Sequence, residues 1–481
     1  MTMPGFHEAR APSIPKKATL AIDFLIVGAG IAGLSCAVAL RRVGHRVTVV
    51  EKEPSIDGSQ YHAGGSRMPP NMTKVFYHWG MGDKIMEPGV ISERVVMQQY
   101  RSGTMLGSHR WDKEMLEEAG GEFVFIHHAK LRRILYETAL ELGATIRFRS
   151  KVVEVSEDSR SVTLSSGEEL RADVVIGADG VHGPCRLAVD EEADSGRPSG
   201  LMMFNAIIPG ESMRTDPDLA PLLDGEFISL WVWFGENHCA LCFPIAKSDD
   251  CAFYFYAPDE GNAQDVWNDM VSAKEVSDHA TVSDAERRLK KLARLARQPS
   301  RIRCTEWPDL DDWVHESGRL VVVGEAAHPF PPGSIQGSSM SLEDASTLAK
   351  LFSHLISYDQ IESFLYAFQE LRQGRVKKNR ITDMANIYFM TMSGEESRQR
   401  DKAMLAMQSK GQNVLGGDDG NKQQWDENRD TFDYDAEDEA DNWWVQWGLL
   451  RERAKASSTL ANASSGVLAF PIITTESSPV P

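Results

Sequence analysis

"DFLIVGAGIAGLSCAVALRRVGHRVTVVEKEP", residues 23–54, decides the fold. Phe24 to Val27 is a short apolar run of the kind that forms a parallel strand buried on both faces. Gly28, Gly30 and Gly33 follow as G-x-G-x-x-G. The first permits a tight turn, the second lets backbone approach a pyrophosphate, and the third lets a helix pack close on the strand. Helical spacing runs through Ala37 to Arg42, Gly44 stops it, and Arg46 to Val50 is a second buried strand that ends at Glu51. A diphosphate would sit at the helix N-terminus, where unpaired N–H groups and the helix dipole favour negative charge. Glu51 is placed to accept hydrogen bonds from an adenosine ribose. A lone G-x-G-x-x-G is a weak signal; strand, glycines, helix, strand and terminal acid in order are a strong one. The motif by itself does not separate FAD from NAD.

Two later stretches repeat the strand-then-glycine pattern. "ADVVIGADGVHGPCR", residues 172–186, gives a strand at Val174–Ile176 followed by Gly177, Asp179 and Gly180. Before it, residues 151–170 alternate like a hairpin with a turn near Ser165–Gly167. "VVVGEAAHPFPPGSIQGSSMSLEDA", residues 321–345, closes a strand that begins at Leu320. Gly324 breaks that strand and Glu325 follows directly. A loop rich in Gly and Pro then leads into helical spacing over Ser338 to Leu351. The N–H groups at that helix start can again meet negative charge.

With 481 residues, two or three domains are expected. The content is 42% apolar and 25% charged, ordinary for a globular chain. A net charge of -19 argues against nucleic acid as a partner. Residues 412–444 hold eleven acids and two bases and are expected to form a solvated surface or a loose segment. Six scattered cysteines do not make a disulfide framework and suit a reducing, cytoplasmic setting. The C-x-x-C of Cys239 and Cys242 falls in a strand pattern and reads as core, so no metal site is expected. Residues 1–19 lack the apolar region of a secretory signal and read as a flexible tail. Glycines interrupt the apolar run Phe24–Leu40, so no membrane span is expected. The segment from about Ala456 reads as a loose tail.

Together the three motifs resemble the single-component (group A) FAD-dependent aromatic monooxygenases, the family of 4-hydroxybenzoate and salicylate hydroxylases, and the fungal salicylate-hydroxylase-like branch in particular. The resemblance covers roughly Asp23 to Ala385. It implies that Gly28, Gly30, Gly33 and Glu51 hold the ADP half of FAD. Asp179 and Gly180 would lie where FAD meets the incoming nicotinamide. Gly324, Glu325 and Pro329, in Gly-Glu-Ala-Ala-His-Pro, would hold the ribityl chain, with Glu325 in place of the family aspartate. Gly337 and Ser338 would bring N–H groups to the flavin ring, and Gly65 would lie against the cofactor. His128 falls on a family arginine that contacts FAD; Arg132 or Arg133 could stand in for it.

The implied fold is α/β. A Rossmann-like FAD-binding domain is built from discontinuous segments, residues 20–190 and 305–395. An antiparallel-sheet substrate domain spans 191–304, and a helical, acidic C-terminal extension spans 396–481. In the substrate region "LMMFNAIIP", "EFISLWVWFG", "HCALCFPIA" and "CAFYFYAP" read as strands. Period-2 alternation places Phe227, Ser229, Trp231 and Trp233 on one face, and pairs Tyr254 with Tyr256 and Phe253 with Phe255. Most of these aromatics are core; a few would line a flat pocket. Asn205 and Phe243 stand where fungal relatives carry an arginine and a tyrosine. His238 and Tyr256 are candidates for orienting substrate in their place, and Asn205 and His238 are the candidate catalytic residues.

The implied activity uses NADPH or NADH and O2 to hydroxylate an electron-rich, phenol- or benzoate-like aromatic, with or without decarboxylation, through a flavin C4a-hydroperoxide. Hydroxylation or epoxidation of an indole or other secondary metabolite is a second reading. A flavin-binding protein without monooxygenase activity is a third. A monomer or a homodimer is expected.

Overall fold

The computed structural model describes residues 14–57, 64–191, 193, 196–246, 250–412 and 430–450. The expected tail from Ala456 and residues 1–13 lie outside these. The short apolar runs assemble into a five-stranded sheet in the order Leu320–Val322, Val174–Gly177, Asp23–Val27, Arg46–Val50, Thr145–Arg147. Every pair in it is parallel. Such strands need cover on both faces, which is why their sequences are near-continuous Val, Ile and Leu. The helices Ile31–Arg42 and Gly337–Phe352 pack on each other beside this sheet, and both are buried along most of their length. Gly44, at φ +100°, turns the chain out of the first helix into the second strand. The alternating segment forms three antiparallel strands, Val152–Val155, Ser161–Leu164 and Glu169–Arg171, with Gly167 at the second turn.

An eight-stranded sheet forms the second layer. Its order is Asp269–Met270, Arg297–Glu306, Arg197–Ile208, Cys251–Pro258, Cys239–Pro244, Ser229–Phe234, Arg94–Gln99, Met105–Arg110. The four runs read as strands are all present. The sheet also takes in two strands from residues 94–110, a stretch that sequence reading left with the first dinucleotide-binding segment. It is therefore mixed, because Ser229–Phe234 and Arg94–Gln99 run parallel.

Its two faces differ. Phe204, Trp233, Phe253 and Phe255 lie on the outer face with Val276, Leu289 and Leu292 of the covering helices. Met203, Phe243, Tyr254 and Tyr256 lie on the inner face with Phe125. Trp231 and Trp233 share the outer side, as alternation requires, and their indoles donate to Leu222 O at 3.1 Å and Glu286 Oε1 at 2.9 Å. Phe227 precedes the strand and stacks under Arg110, 3.7 Å from the ring centre. Cys239 belongs to the inner cluster and Cys242 to the outer one, so the C-x-x-C thiols point to opposite faces.

Helices Ile361–Thr391 and Gly394–Ser409 follow. Part of the acidic segment is neither loose nor freely solvated. Helix Ala436–Trp443 packs on Gly337–Phe352 and buries Ala440 and Trp443. Asp441 pairs with Lys350 at 2.8 Å and His354 at 3.0 Å, and Arg375 stacks 3.7 Å over the Tyr434 ring. Basic groups on the face beneath give these acids partners, which a charge count along the chain does not reveal. Among the described residues no helix is long and apolar enough to cross a membrane.

Candidate active site

The three glycine motifs converge through backbone contacts. A Cβ on Gly28, which sits at φ +103°, would lie 2.3 Å from Ala178 O of the second motif. One on Gly33 would lie 2.0 Å from Gly28 O, and one on Gly324 would lie 2.5 Å from Ala32 Cβ. A Cβ on Gly30 would meet nothing within 4 Å. The helix behind it begins with no side-chain cap and no acid in its first turn. Its first N–H groups therefore face open space with the positive end of the helix dipole.

Glu51 is 3% exposed and is fixed from two sides. Its Oε2 accepts from Ala29 N at 2.7 Å and its Oε1 from Glu53 N at 3.0 Å. Each oxygen keeps a second lone pair for a further donor. Arg132, 1% exposed, donates to Ala29 O and Ile56 O at 2.7 Å each, with Nη2 3.8 Å from Glu51. His128 binds Ser66 Oγ at 3.0 Å. Burial, then Arg132 and His127, push its pKa down to about 4, so it is neutral and does not replace an arginine's charge. Arg132 brings a guanidinium to the glycine loop, whereas Arg133 pairs with Asp57 at the surface. Sequence reading left these two open; the apolar spacing of the helix, which turns Arg132 inward beside Leu131 and Leu135, separates them.

Asp179 Oδ2 accepts from Cys185 N at 3.0 Å, while its Oδ1 is buried without a partner. Burial raises its pKa to about 6, against the Cys185 hydrogen bonds. Glu325 occupies the single 3-10 turn after Val323 and makes no hydrogen bond with its side chain among the described residues. It stays accessible although protein surrounds it, which marks the wall of a recess. Burial raises its pKa, with His328 and His182 opposing. Behind it, Asp344 Oδ2 accepts from Gly324 N at 3.1 Å and contacts His328 Nε2 at 2.6 Å. Asp344 and Glu343 are ion-paired to Arg372 at 2.9 and 2.7 Å, and Arg375 reaches Glu343 at 2.8 Å. This cluster, in which Glu343, Asp344 and Arg372 are fully buried and Arg375 partly so, balances two acids with two guanidinium groups and anchors the third motif from behind. Pro329 is buried beside it.

The loop from Pro331 to Gln336 is held by side chains. Tyr256 Oη donates to Pro332 O at 2.6 Å, and Arg67 donates to Gly333 O. Asp383 Oδ2 accepts from Ile335 N at 3.0 Å and Gln336 N at 2.8 Å. Gly337 N donates to Ser334 Oγ at 3.3 Å. Gly337 and Ser338 then open a 16-residue helix that has no side-chain cap and no acid in its first turn. Gly333, at φ +71°, has no room for a side chain: a Cβ would lie 2.3 Å from Tyr256 Oη and 2.8 Å from Met203 Sδ.

Across from this loop, Tyr254 donates to Gly65 O. A Cβ on Gly65 would lie 2.8 Å from Phe243, and one on Gly64 would lie 2.4 Å from Asn205 Oδ1. Asn205, Phe243 and Gly65, separate in sequence, are thus neighbours, with Arg67 beside them 5.9 Å from the Phe243 ring centre and 6.0 Å from that of Tyr254. His238 lies elsewhere. Its ring meets Tyr100 edge-on at 4.2 Å and a Gly235 Cβ would touch it, with Arg101, Glu236 and Asp284 around it. Arg67 and Asp383 escaped sequence reading. The available signal was a lone basic residue in Gly-Gly-Ser-Arg-Met, too short for a periodicity.

The recess fits FAD. It has an open approach at Gly30, an orphaned buried oxygen on Asp179, an unpartnered carboxylate on Glu325, and at each end a helix start with no acid in its first turn. This fold and site define a flavin-dependent oxidoreductase. The chain belongs to the FAD binding domain family, matched over residues 21–380, and is an FAD-dependent monooxygenase. FAD-dependent monooxygenase OpS4 of Beauveria bassiana (strain ARSEF 2860) is 27% identical over 398 residues, covering 81% of this chain and 90% of that one. CtdE, solved with FAD and a substrate, superposes with a TM-score of 0.71 at 21% identity, covering 90% and 100% of the two chains. A salicylate hydroxylase substrate complex gives 0.66 at 19% identity, covering 87% and 97%.

Proposed function

We propose that this enzyme hydroxylates an electron-rich aromatic substrate, taking electrons from NADH or NADPH and one oxygen atom from O2. The observation that carries the reading is the aromatic inner face of the large sheet. Phe243, Tyr254 and Tyr256 meet the strand of Gly65 and the loop of Gly333 with Arg67 among them. A flat apolar wall with a few fixed polar groups suits a planar ring.

Bound FAD supplies the electron transfer and the oxygen activation. The chain's residues position and shield it. The N–H groups at Gly30 and the helix start behind it hold the diphosphate, with Arg132 bracing the loop. Glu51 accepts from the adenosine ribose and Glu325 from a ribityl hydroxyl. The helix start at Gly337 and Ser338 favours negative charge at the flavin end. Asp179 lies where the nicotinamide donor approaches. Buried Phe243, Tyr254 and Phe125 exclude water from the reacting ring. Tyr254, pushed up to about 12 by burial, remains a neutral phenol, as does Tyr256. Six buried free cysteines support a reducing compartment.

A screen of NADH and NADPH oxidation with benzoates, phenols and indoles tests the reading. Substrate-stimulated oxidation and incorporation of one atom from labelled O2 into the product are expected. Flavin binding without stimulation by any aromatic would overturn it in favour of a flavoprotein without monooxygenase activity.

A further inference from the structure

We propose that Tyr434, in the C-terminal extension, is a positioning residue for the flavin: it fixes both ends of the loop from Gly324 to Gly337 through the guanidinium groups of Arg372 and Arg375. This rests on the reading that this loop holds the flavin end of FAD, and it brings the acidic extension into the flavin site.

Two chains of contacts start at Tyr434. The first runs through Arg372, which is 0% exposed. Tyr434 Oη lies 3.5 Å from Arg372 Nη1, and Arg372 Nε donates to Asp344 Oδ1 at 2.9 Å. Asp344 Oδ2 in turn accepts from Gly324 N at 3.1 Å, where the loop begins. The second runs through Arg375, whose guanidinium lies 3.7 Å over the Tyr434 ring centre. Arg375 grips Glu343 with two hydrogen bonds of 2.8 Å each. Asn71 Nδ2 donates to Glu343 Oε1 at 2.7 Å and to Gln336 Oε1 at 3.0 Å, where the loop ends. The extension also holds Arg375 by backbone, since Asp430 O and Thr431 O accept from it at 3.3 and 2.9 Å. A guanidinium on an aromatic face gains a cation–π attraction, and the ring keeps water from the ion pair beside it. Without the ring, water screens the Arg375–Glu343 pair, and the hold on Asn71 and Gln336 loosens. The other end of the extension docks away from the loop. Trp443 meets Phe364 edge-on at 6.4 Å, and Asp441 pairs with Lys350 and His354 at the far end of helix Gly337–Phe352.

The test compares the full chain with its Tyr434→Leu, Tyr434→Phe and Trp443→Leu variants. FAD affinity is read by titrating the flavin-free proteins, the flavin's surroundings by visible circular dichroism of the FAD-loaded ones, and stability by melting temperature. Tyr434→Leu should weaken FAD binding by roughly 3- to 30-fold and change the flavin's dichroism. Tyr434→Phe keeps the ring and should stay within about threefold of the wild type, with the wild-type dichroism. Trp443→Leu leaves a cavity and should melt lower, with FAD affinity and dichroism unchanged. Tyr434→Met gives the same comparison should the leucine variant not fold. Wild-type affinity and dichroism in Tyr434→Leu would overturn the proposal. So would an equal loss in Trp443→Leu, since the extension would then only brace the helix, or an equal loss in Tyr434→Phe, since the ring would then play no part. Failure of the loop reading shows separately: Glu325→Ala would then bind FAD with unchanged affinity and dichroism, whereas an impaired Glu325→Ala beside a normal Tyr434→Leu sinks the role of Tyr434 alone.

Discussion

The dinucleotide half and the junction with the large sheet are held together by different parts of the chain. In the first, glycine backbone meets backbone: Gly28 on Ala178, Gly33 on Gly28. At the junction, side-chain tips meet backbone: Tyr254 on Gly65, Tyr256 on Pro332, Arg67 on Gly333, Asp383 on Ile335 and Gln336. Contacts of the first kind leave no room for any side chain. Contacts of the second kind can be exchanged one at a time at modest cost. A cofactor common to many enzymes suits the rigid part, and a substrate particular to one suits the exchangeable part.

The sharpest break should come from Gly33→Ala. Its Cβ would stand 2.0 Å from a carbonyl oxygen that packing holds in place. Overpacking against backbone on this scale costs about 3 kcal/mol or more. The variant should lose most of its bound flavin and unfold at lower urea. Full flavin content would show that the glycine loop has slack and would remove the contrast with the junction.

Next in size is Glu51→Ala. The carboxylate accepts from Ala29 and Glu53 N–H and, in the proposed role, from the adenosine ribose. A lost hydrogen bond to a charged group is worth ~1.5–3 kcal/mol, or roughly one to two decades in FAD affinity. Titration of the flavin-free variant with FAD measures it. A fall in stability with unchanged FAD affinity would confine Glu51 to bracing the loop.

Asp383 tests the junction by pH. Burial raises its pKa to about 6 from 3.8, with the Gln336 N–H and Arg67 opposing. The folded state therefore binds this proton more tightly than the unfolded chain does. The stabilisation is complete below the unfolded value and is lost as pH rises through about 6. Between pH 5 and 7 the wild type should lose about 1 kcal/mol through this group, and Asp383→Asn should not. Urea midpoints of both proteins at the two pH values give the difference. Parallel curves would mean that Arg67 holds the carboxylate ionised throughout.

The same contrast explains what the sequence disclosed. The parallel strands and glycine turns were legible because their physics is local: a short apolar run, a glycine where φ is positive or a Cβ cannot fit, an acid at a strand end. Gly28, Gly33 and Glu51 carry that signal in the residues themselves. Arg67 and Asp383 do not, because each acquires its role from a partner 266 or 48 positions away. The strands of residues 94–110 were missed for a related reason: their partner Ser229–Phe234 lies beyond the next parallel strand of the other sheet. Asn205, singled out by resemblance, lies beside Gly64, while His238 packs against Tyr100, away from both.

The finest test compares two hydrogen-bonded aromatics on opposite faces of the large sheet. Tyr256 on the inner face donates to Pro332 O, and Trp233 on the outer face donates to Glu286 Oε1. Both side chains are fully buried. Tyr256→Phe and Trp233→Phe each remove a single hydrogen bond, worth ~0.5–1.5 kcal/mol. Trp233→Phe also leaves a cavity, so its melting temperature should fall further. Function should rank them the other way. Without the Tyr256 tether, the segment from Pro332 to Gln336 loses one of its side-chain anchors, and the helix start at Gly337 shifts or loosens with it. Water then reaches the reacting ring more easily, and more NAD(P)H should be oxidised to hydrogen peroxide per hydroxylated product. The ratio of peroxide to product, measured in both variants with one substrate, should rise in Tyr256→Phe and stay at the wild-type value in Trp233→Phe. Equal ratios would mean that the inner face supports the flavin loop no more than the outer face does.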